Sequence, residues 1–459
     1  MYKKKRRSQA NVIEIERCCT SLKEEQSLSW WQLSLIGVGC TIGTGFFLGS
    51  SIAITKSGYS ACISFLLAAV GTYLVFKHLA AMTADNPDKG SFCSYARKAY
   101  GRWAGFSNGW VYWFAEMLIT GSQLTAISLF TRHWFPSVPL WVFSAIYSAL
   151  ALLVIIIGLS SFQKTENVLA VLKTAAIFLF MILAVLVLFG ILTEHKPTLH
   201  LPNKDHEWMP LGPFGLWNGL IYAFYAFGGI EVMGLMAVHL KNPKDAAKAG
   251  RVMLIILAVI YIVSIGLALM LVPLTAFNEN SSPFITSLEP FHLSIFLHIF
   301  NGIFIIAGFS TLVASLYAVT TLLGTMSEHQ DAPACFKQKD PTHVRWSSII
   351  LTAAGLIVSI LLALFLSKHI YEHLTTAAGL TLLYTWIFIL FSSKKLSKPS
   401  TRQTCEMILA LLLIAAAVSG TLTEASGRPG FFISLGIIAV IAVMVLFMRK
   451  KWKQDQTAS

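Results

Sequence analysis

The sequence predicts an all-α polytopic membrane protein of twelve transmembrane helices, and three observations carry that prediction. Of the 459 residues, 55% are hydrophobic and only 12% are charged, about half the charge of a soluble domain. Twelve runs of roughly 20 apolar residues, the length that crosses a bilayer as a helix, divide the chain. Between them the Lys and Arg residues crowd onto alternate loops, which is how a fixed orientation is written in sequence. This composition excludes a soluble globular enzyme, a disordered protein and a coiled coil.

In order, the runs are 30–54, 59–80, 105–130, 138–159, 167–192, 214–240, 252–274, 292–325, 347–366, 371–391, 405–424 and 430–448. Glycines interrupt the first, and the eighth is overlong. With both ends on the cytoplasmic side, 28 of the 35 Lys and Arg are cytoplasmic, six are external and Lys173 lies within a span. One miscounted span would invert every loop after it, so the asymmetry tests the whole parsing. Residues 1–28 begin MYKKKRRSQANVIEIERCC, with no apolar core, and read as a cytoplasmic tail and not as a secretory signal. Residues 29–391 form one ten-helix block. The Lys- and Ser-rich loop 392–403 sets off the helices of 404–449, and 450–459 is a second cytoplasmic tail. The net charge of +13 faces lipid headgroups on this reading, so the partner is the bilayer and not nucleic acid. Seven cysteines without a CxxC pair read as small buried hydrophobes.

Two spans carry interior glycine clusters: Gly37, Gly39, Gly43, Gly45 and Gly49 in the first, Gly228 and Gly229 in the sixth. Glycine costs about 1 kcal/mol against Ala inside a helix. Local unwinding at mid-membrane leaves free N–H and C=O groups, tolerable only where they line a cavity or bind something. Close-packing seams of the GxxxG kind are the competing explanation. Breaks five spans apart favour the other: matching interruptions in two halves point to an inverted repeat with a substrate site at its interface. Freed N–H groups suit a carboxylate and freed carbonyls an ammonium, so the pair suits a zwitterionic α-amino acid.

Ionisable residues within spans are functional candidates by default. Glu231, directly after the second glycine cluster, is either a proton-carrying or gating carboxylate or a cap on unwound N–H groups. Glu116 is either a buried hydrogen-bonded group or a coupling site. His369, Glu372 and His373 have a metal-like spacing at a short external turn, but neither a metal nor any other cofactor is expected there. The HExxH and GxSxG signatures do not occur, so no catalytic constellation is expected and the chain does not read as an enzyme.

With these residues in place, the chain resembles the amino acid permeases of the amino acid–polyamine–organocation superfamily, in the bacterial amino acid transporter branch. The resemblance rests on Gly39-Cys-Thr-Ile-Gly-Thr-Gly-Phe-Phe-Leu-Gly-Ser, Asn86-Pro-Asp-Lys-Gly-Ser-Phe-Cys-Ser-Tyr-Ala and Trp103-Ala-Gly-Phe-Ser-Asn-Gly-Trp-Val-Tyr-Trp. Phe227-Gly-Gly-Ile-Glu-Val-Met-Gly and Asn242-Pro-Lys extend it. It covers roughly residues 28–450. It implies a ten-helix core of two inverted five-helix repeats, broken helices 1 and 6, two peripheral helices and alternating access. It also implies that Ile42, Thr44 and Gly45 hold a substrate carboxylate, that the carbonyls of Tyr225, Ala226 and Gly228 hold the α-ammonium, and that Phe227 or Tyr225 is an aromatic lid. Lys173 falls where sodium-coupled relatives of the fold bind a structural sodium ion, which implies proton coupling or exchange. Gln123-Leu124 stands where the branch carries an acidic residue before Leu, and His239 and Lys241 replace an acidic pair. The reading is secondary transport of an α-amino acid, neutral because no acidic partner is assured, inward and proton-coupled. Exchange, or a cationic substrate, stays open.

Overall fold

The computed structural model describes residues 28–457, apart from 89, 158, 193–197, 203–207, 338–344, 366–368 and 398. The expected N-terminal tail, Leu28 excepted, lies outside the described residues. Ser29 opens the first helix by donating its N–H to Gln32 Oε1 at 2.9 Å, and α1 runs Trp30–Thr41. Ile42 and Gly43 are extended, and the helix resumes as α2, Thr44–Phe47, and α3, Gly49–Ser57. Gly58, at φ +61°, turns the chain into α4, Ala61–Asp85. The short amphipathic α5, Ser91–Tyr100, passes through Gly101 at φ +88° into the 33-residue α6, Arg102–Trp134.

Helices α7, Leu140–Ile157, and α8, Leu159–Leu188, follow. Pro213 starts α9, Pro213–Ala226, using a first-turn position where no N–H is needed. After a three-residue break comes α10, Ile230–Met236. The rest is α11, Ala246–Leu271; a short α12, Pro283–Leu288; α13, Ser294–Glu328; α14, Trp346–Phe365; α15, Ile370–Leu396; α16, Thr401–Gly420; and α17, Arg428–Thr457.

The protein is all-α, as the composition requires. Among the described residues nine helical stretches are long and apolar enough to cross a membrane, and the one bridge between extended residues joins Leu28 to Leu240. The overlong eighth run is a single 35-residue helix. Two polar segments are more helical than expected. Helix α15 extends to Leu396 and α16 starts at Thr401, capped by Ser400 and Gln403. Helix α17 continues past the apolar run, and its Trp452 lies 5.6 Å from the Phe106 ring with Arg102 over its own ring at 5.0 Å.

Packing sorts the helices by depth. Helix α6 lies against α13 and α15, α11 against α4, and α9 against α3 and α4. The apolar stretch of α15 is 78% buried, that of α16 28% and that of α17 only 11%. The last two helices are therefore peripheral and the broken helices central.

Candidate functional site

The two breaks face each other, and glycines make the approach. A Cβ on Gly45 would stand 2.9 Å from Tyr225 Cε1 and 3.6 Å from Ala226 Cα. Gly229 sits at φ +121°, and a Cβ there would stand 2.9 Å from Thr41 Oγ1. That conformation, in which a side chain is strained, lets the chain leave α9 and re-enter α10 against the end of α1. The glycines thus allow close packing, and at the breaks main-chain groups are also left without partners among the described residues.

On the first break, Ile42 N–H donates to Val38 O at 3.0 Å. The Ile42 N–H, which the resemblance assigns to a substrate carboxylate, thus has a protein acceptor as the last donor of α1. The N–H groups of Gly43, Thr44 and Gly45 find no acceptor among the described residues. Thr44 Oγ1 is also buried without a partner. These four donors sit at the start of a helical segment, where an anion is favoured. The Thr44 carbonyl, by contrast, accepts from Tyr371 Oη at 3.0 Å.

On the second break, Tyr225 O accepts from Gly228 N–H at 3.0 Å and Ala226 O from Tyr261 Oη at 3.2 Å. Ala226 O retains a second lone pair, whereas Tyr225 O also receives the Phe227 N–H. Gly228 O has no partner among the described residues. The Tyr225 ring covers Gly45, and its hydroxyl is 2.5 Å from Ser122 Oγ. The Phe227 ring packs 5.1 Å from Tyr261 and 6.3 Å from Phe65, so of the two lids the sequence offered, Tyr225 is the one over the first break.

The ionisable residues divide. Glu231 is fully buried and accepts from Gly229 N–H at 3.0 Å through Oε2 and from Trp386 Nε1 through Oε1. It caps α10, the alternative the sequence left open beside proton carriage. Glu116 is buried on α6, with Tyr112 and Ser315 beside its carboxyl. Lys173, 1% exposed, reaches from α8 to Gly39 O at 3.4 Å. A Cβ on Gly39 would stand 2.4 Å from Ala170 Cβ, so α8 lies directly on the last turns of α1.

Several contributors were not singled out from sequence: Tyr371 and Trp386 on α15, Tyr261 on α11 and Ser122 on α6. Ser122 adjoins Gln123, whose departure from the branch pattern was visible, and Gln123 Oε1 is itself buried without a partner. Above the first break, where α3 and α6 end, a cavity of about 210 Å³ is lined by Ile52, Thr125, Arg132, Glu279, His369 and Tyr371. Tyr371 thus separates this vestibule from Thr44. At the opposite end, Asp331 holds Arg97 at 2.8 Å and Arg102 at 3.6 Å, tying α5 and α6 to the segment after α13.

Broken helices set face to face inside a polytopic bundle, with unpaired donors on one and a free acceptor on the other, define a membrane transporter. Residues 32–458 match the amino acid permease family, and the chain belongs to that family. It is 65% identical over 434 residues to the uncharacterized transporter YcgH of Bacillus subtilis, covering 94% of this chain and 97% of the relative. It is 29% identical to the aromatic amino acid transport protein AroP of Corynebacterium glutamicum, covering 91% and 93%. It is 26% identical to the gamma-aminobutyric acid permease of Bacillus subtilis, covering 96% of each. Amino acid transport is the function of the family to which the fold and site lead.

Proposed function

We propose that the protein imports a neutral α-amino acid across the cytoplasmic membrane by alternating access, coupled to protons and independent of sodium. The observation that carries this reading is the pair of facing breaks. The N–H groups of Gly43, Thr44 and Gly45 and the Thr44 hydroxyl suit a carboxylate, and the carbonyls of Gly228, Tyr225 and Ala226 suit an ammonium. Tyr225 closes over the substrate. Neutrality of the side chain is supported by Glu231, whose two oxygens are occupied by Gly229 and Trp386 and so do not invite a cationic group. The relative named for aromatic amino acids agrees with a substrate whose side chain carries no positive charge.

In this reading the chain crosses the membrane twelve times with both termini cytoplasmic, supported by the 28-to-6 division of Lys and Arg. Residues 29–391 form the two inverted five-helix repeats. The vestibule beneath Glu279 and His369 opens outward, and the Asp331 cluster closes the cytoplasmic end. The Lys173 ammonium takes the place of a sodium ion against α1, and Glu116 is the group left to follow the proton.

The test is uptake of labelled amino acids into proteoliposomes under an imposed pH gradient without sodium. Concentrative uptake of neutral amino acids is the expected result. Uptake confined to vesicles preloaded with amino acid makes the protein an exchanger. Uptake that needs sodium overturns the role of Lys173, and uptake of cationic amino acids alone overturns the substrate class.

A further inference from the structure

At the rim of the vestibule, four elements distant in sequence bring charges together. Lys56, at the end of α3, lies 3.2 Å from Glu279 Oε1, 3.3 Å from Glu372 Oε1 and 2.7 Å from Glu424 Oε1. Tyr222 Oη adds a hydrogen bond to Glu372 Oε1 at 3.1 Å. The ammonium and the phenol thus use one oxygen of Glu372, and Lys56 uses one oxygen of Glu279. The remaining oxygens turn toward His369, whose Nδ1 is 3.3 Å from Glu279 Oε2 and 3.8 Å from Glu372 Oε2.

Glu372 Oε2 is the telling atom. The side chain is 1% exposed, yet this oxygen has no hydrogen-bond partner. A buried carboxylate oxygen left without a donor is costly. Fixing Lys56 requires only the other oxygen, so the ion-pair network does not account for it. A cation bound between the two carboxylates and the imidazole would.

We propose that Glu279, His369 and Glu372 form a binding site for zinc at the mouth of the vestibule. One ligand atom from each residue lies within 4.8 Å of the others. A tetrahedral zinc ion about 2.1 Å from each ligand sets those ligands roughly 3.4 Å apart, so closure needs only small side-chain shifts. One imidazole and two carboxylates are a borderline donor set that suits zinc better than magnesium, which prefers oxygen and water alone. Charge agrees: three carboxylates meet one ammonium, and even with Arg132 on the same cavity wall the cluster lacks a positive charge. The cavity gives access from solvent and room for a water as fourth ligand. His373 is not one of the residues whose ligand atoms converge there; its Nδ1 lies 3.0 Å from Ser426 O.

Calorimetric titration of the purified, tag-free protein in detergent with zinc chloride tests this, with magnesium chloride as control. The expected result is one saturable zinc site that magnesium does not fill. His369→Asn, a change at an exposed side chain, weakens it by about tenfold or more, no less than the loss of an outer-shell partner costs a metal site. Glu279→Gln weakens it likewise while leaving Glu372 and Glu424 to hold Lys56. No saturable zinc binding, or the same affinity in wild type and both variants, overturns the site. The readout is binding, so it decides the question whatever substrate is transported.

Discussion

Lys173 Nζ lies 3.4 Å from the carbonyl of Gly39, three residues before the first helix breaks. A buried ammonium on a main-chain carbonyl does two things at once: it satisfies a charge inside the bundle and it ties α8 to the end of α1. On the alternating-access mechanism proposed above, removing it frees an element that the transport cycle would move.

The expected outcome for Lys173→Met is a fall in gradient-driven uptake of at least about tenfold, equivalent to ~1.4 kcal/mol, with normal membrane insertion. Sodium should not stimulate the wild type. Unchanged uptake by the variant, measured at equal protein in proteoliposomes, removes Lys173 from the mechanism.

Lys56 gives a prediction about stability. Its Nζ serves three carboxylates, of which Glu372 is almost wholly enclosed. Lys56→Met strands that carboxylate, and breaking a buried pair from one side costs about 3 kcal/mol or more. Thermal unfolding in detergent should show a lower midpoint. Adding Glu372→Gln should recover part of the loss, because the stranded charge is then gone. A midpoint equal to wild type in the single variant refutes the account.

Much of this was legible in the sequence because the signals were local. Gly43, Gly228 and Gly229 mark main chain that leaves the helix inside an apolar run, and the breaks fall there. Lys173 and Glu231 stand out as charges in apolar runs. What was hidden depends on contacts between distant segments. Tyr371 and Trp386 look like ordinary aromatic residues of α15 until the fold sets them on Thr44 and Glu231. The spent N–H of Ile42 could not be foreseen, since it depends on which residue α1 holds last. Glu279 reads as an isolated loop acid, and only the fold brings it to His369 and Lys56.

Asp88, in the turn between α4 and α5, has a pH signature. Burial pushes its carboxyl up, but the Lys98 ammonium at 2.8 Å, the Gly90 N–H and the Ser94 hydroxyl outweigh it and hold the group below the usual Asp range. A depressed folded-state value means stability that is present above the unfolded value of about 3.9 and lost as pH falls through the lower folded one. Asp88→Asn should therefore reduce stability at neutral pH by on the order of 1 kcal/mol, seen as a lower unfolding midpoint. The two proteins should converge once the pH has fallen below that lower folded value. A constant difference across the range would show that the carboxylate charge is not what matters.

Thr44 separates binding from folding. Its hydroxyl is buried without a partner, while its main-chain oxygen is held by Tyr371. Val has the same shape without the hydroxyl, so Thr44→Val keeps the packing against Gly308, where a Cβ would stand 2.8 Å from Thr44 Cγ2. Removing an unsatisfied buried hydroxyl is close to neutral for stability, or favourable. If that hydroxyl donates to the substrate carboxylate, a charge-assisted hydrogen bond worth about 1.5–3 kcal/mol is lost. The expected result is an apparent KM raised by about tenfold or more, with an unfolding midpoint equal to or above that of wild type in the absence of substrate. Added substrate should raise that midpoint less in the variant than in wild type, because stabilisation by a ligand follows its affinity. An unchanged KM with an unchanged substrate-induced shift would place the substrate carboxylate away from Thr44, and the first break would then have to be read as structural.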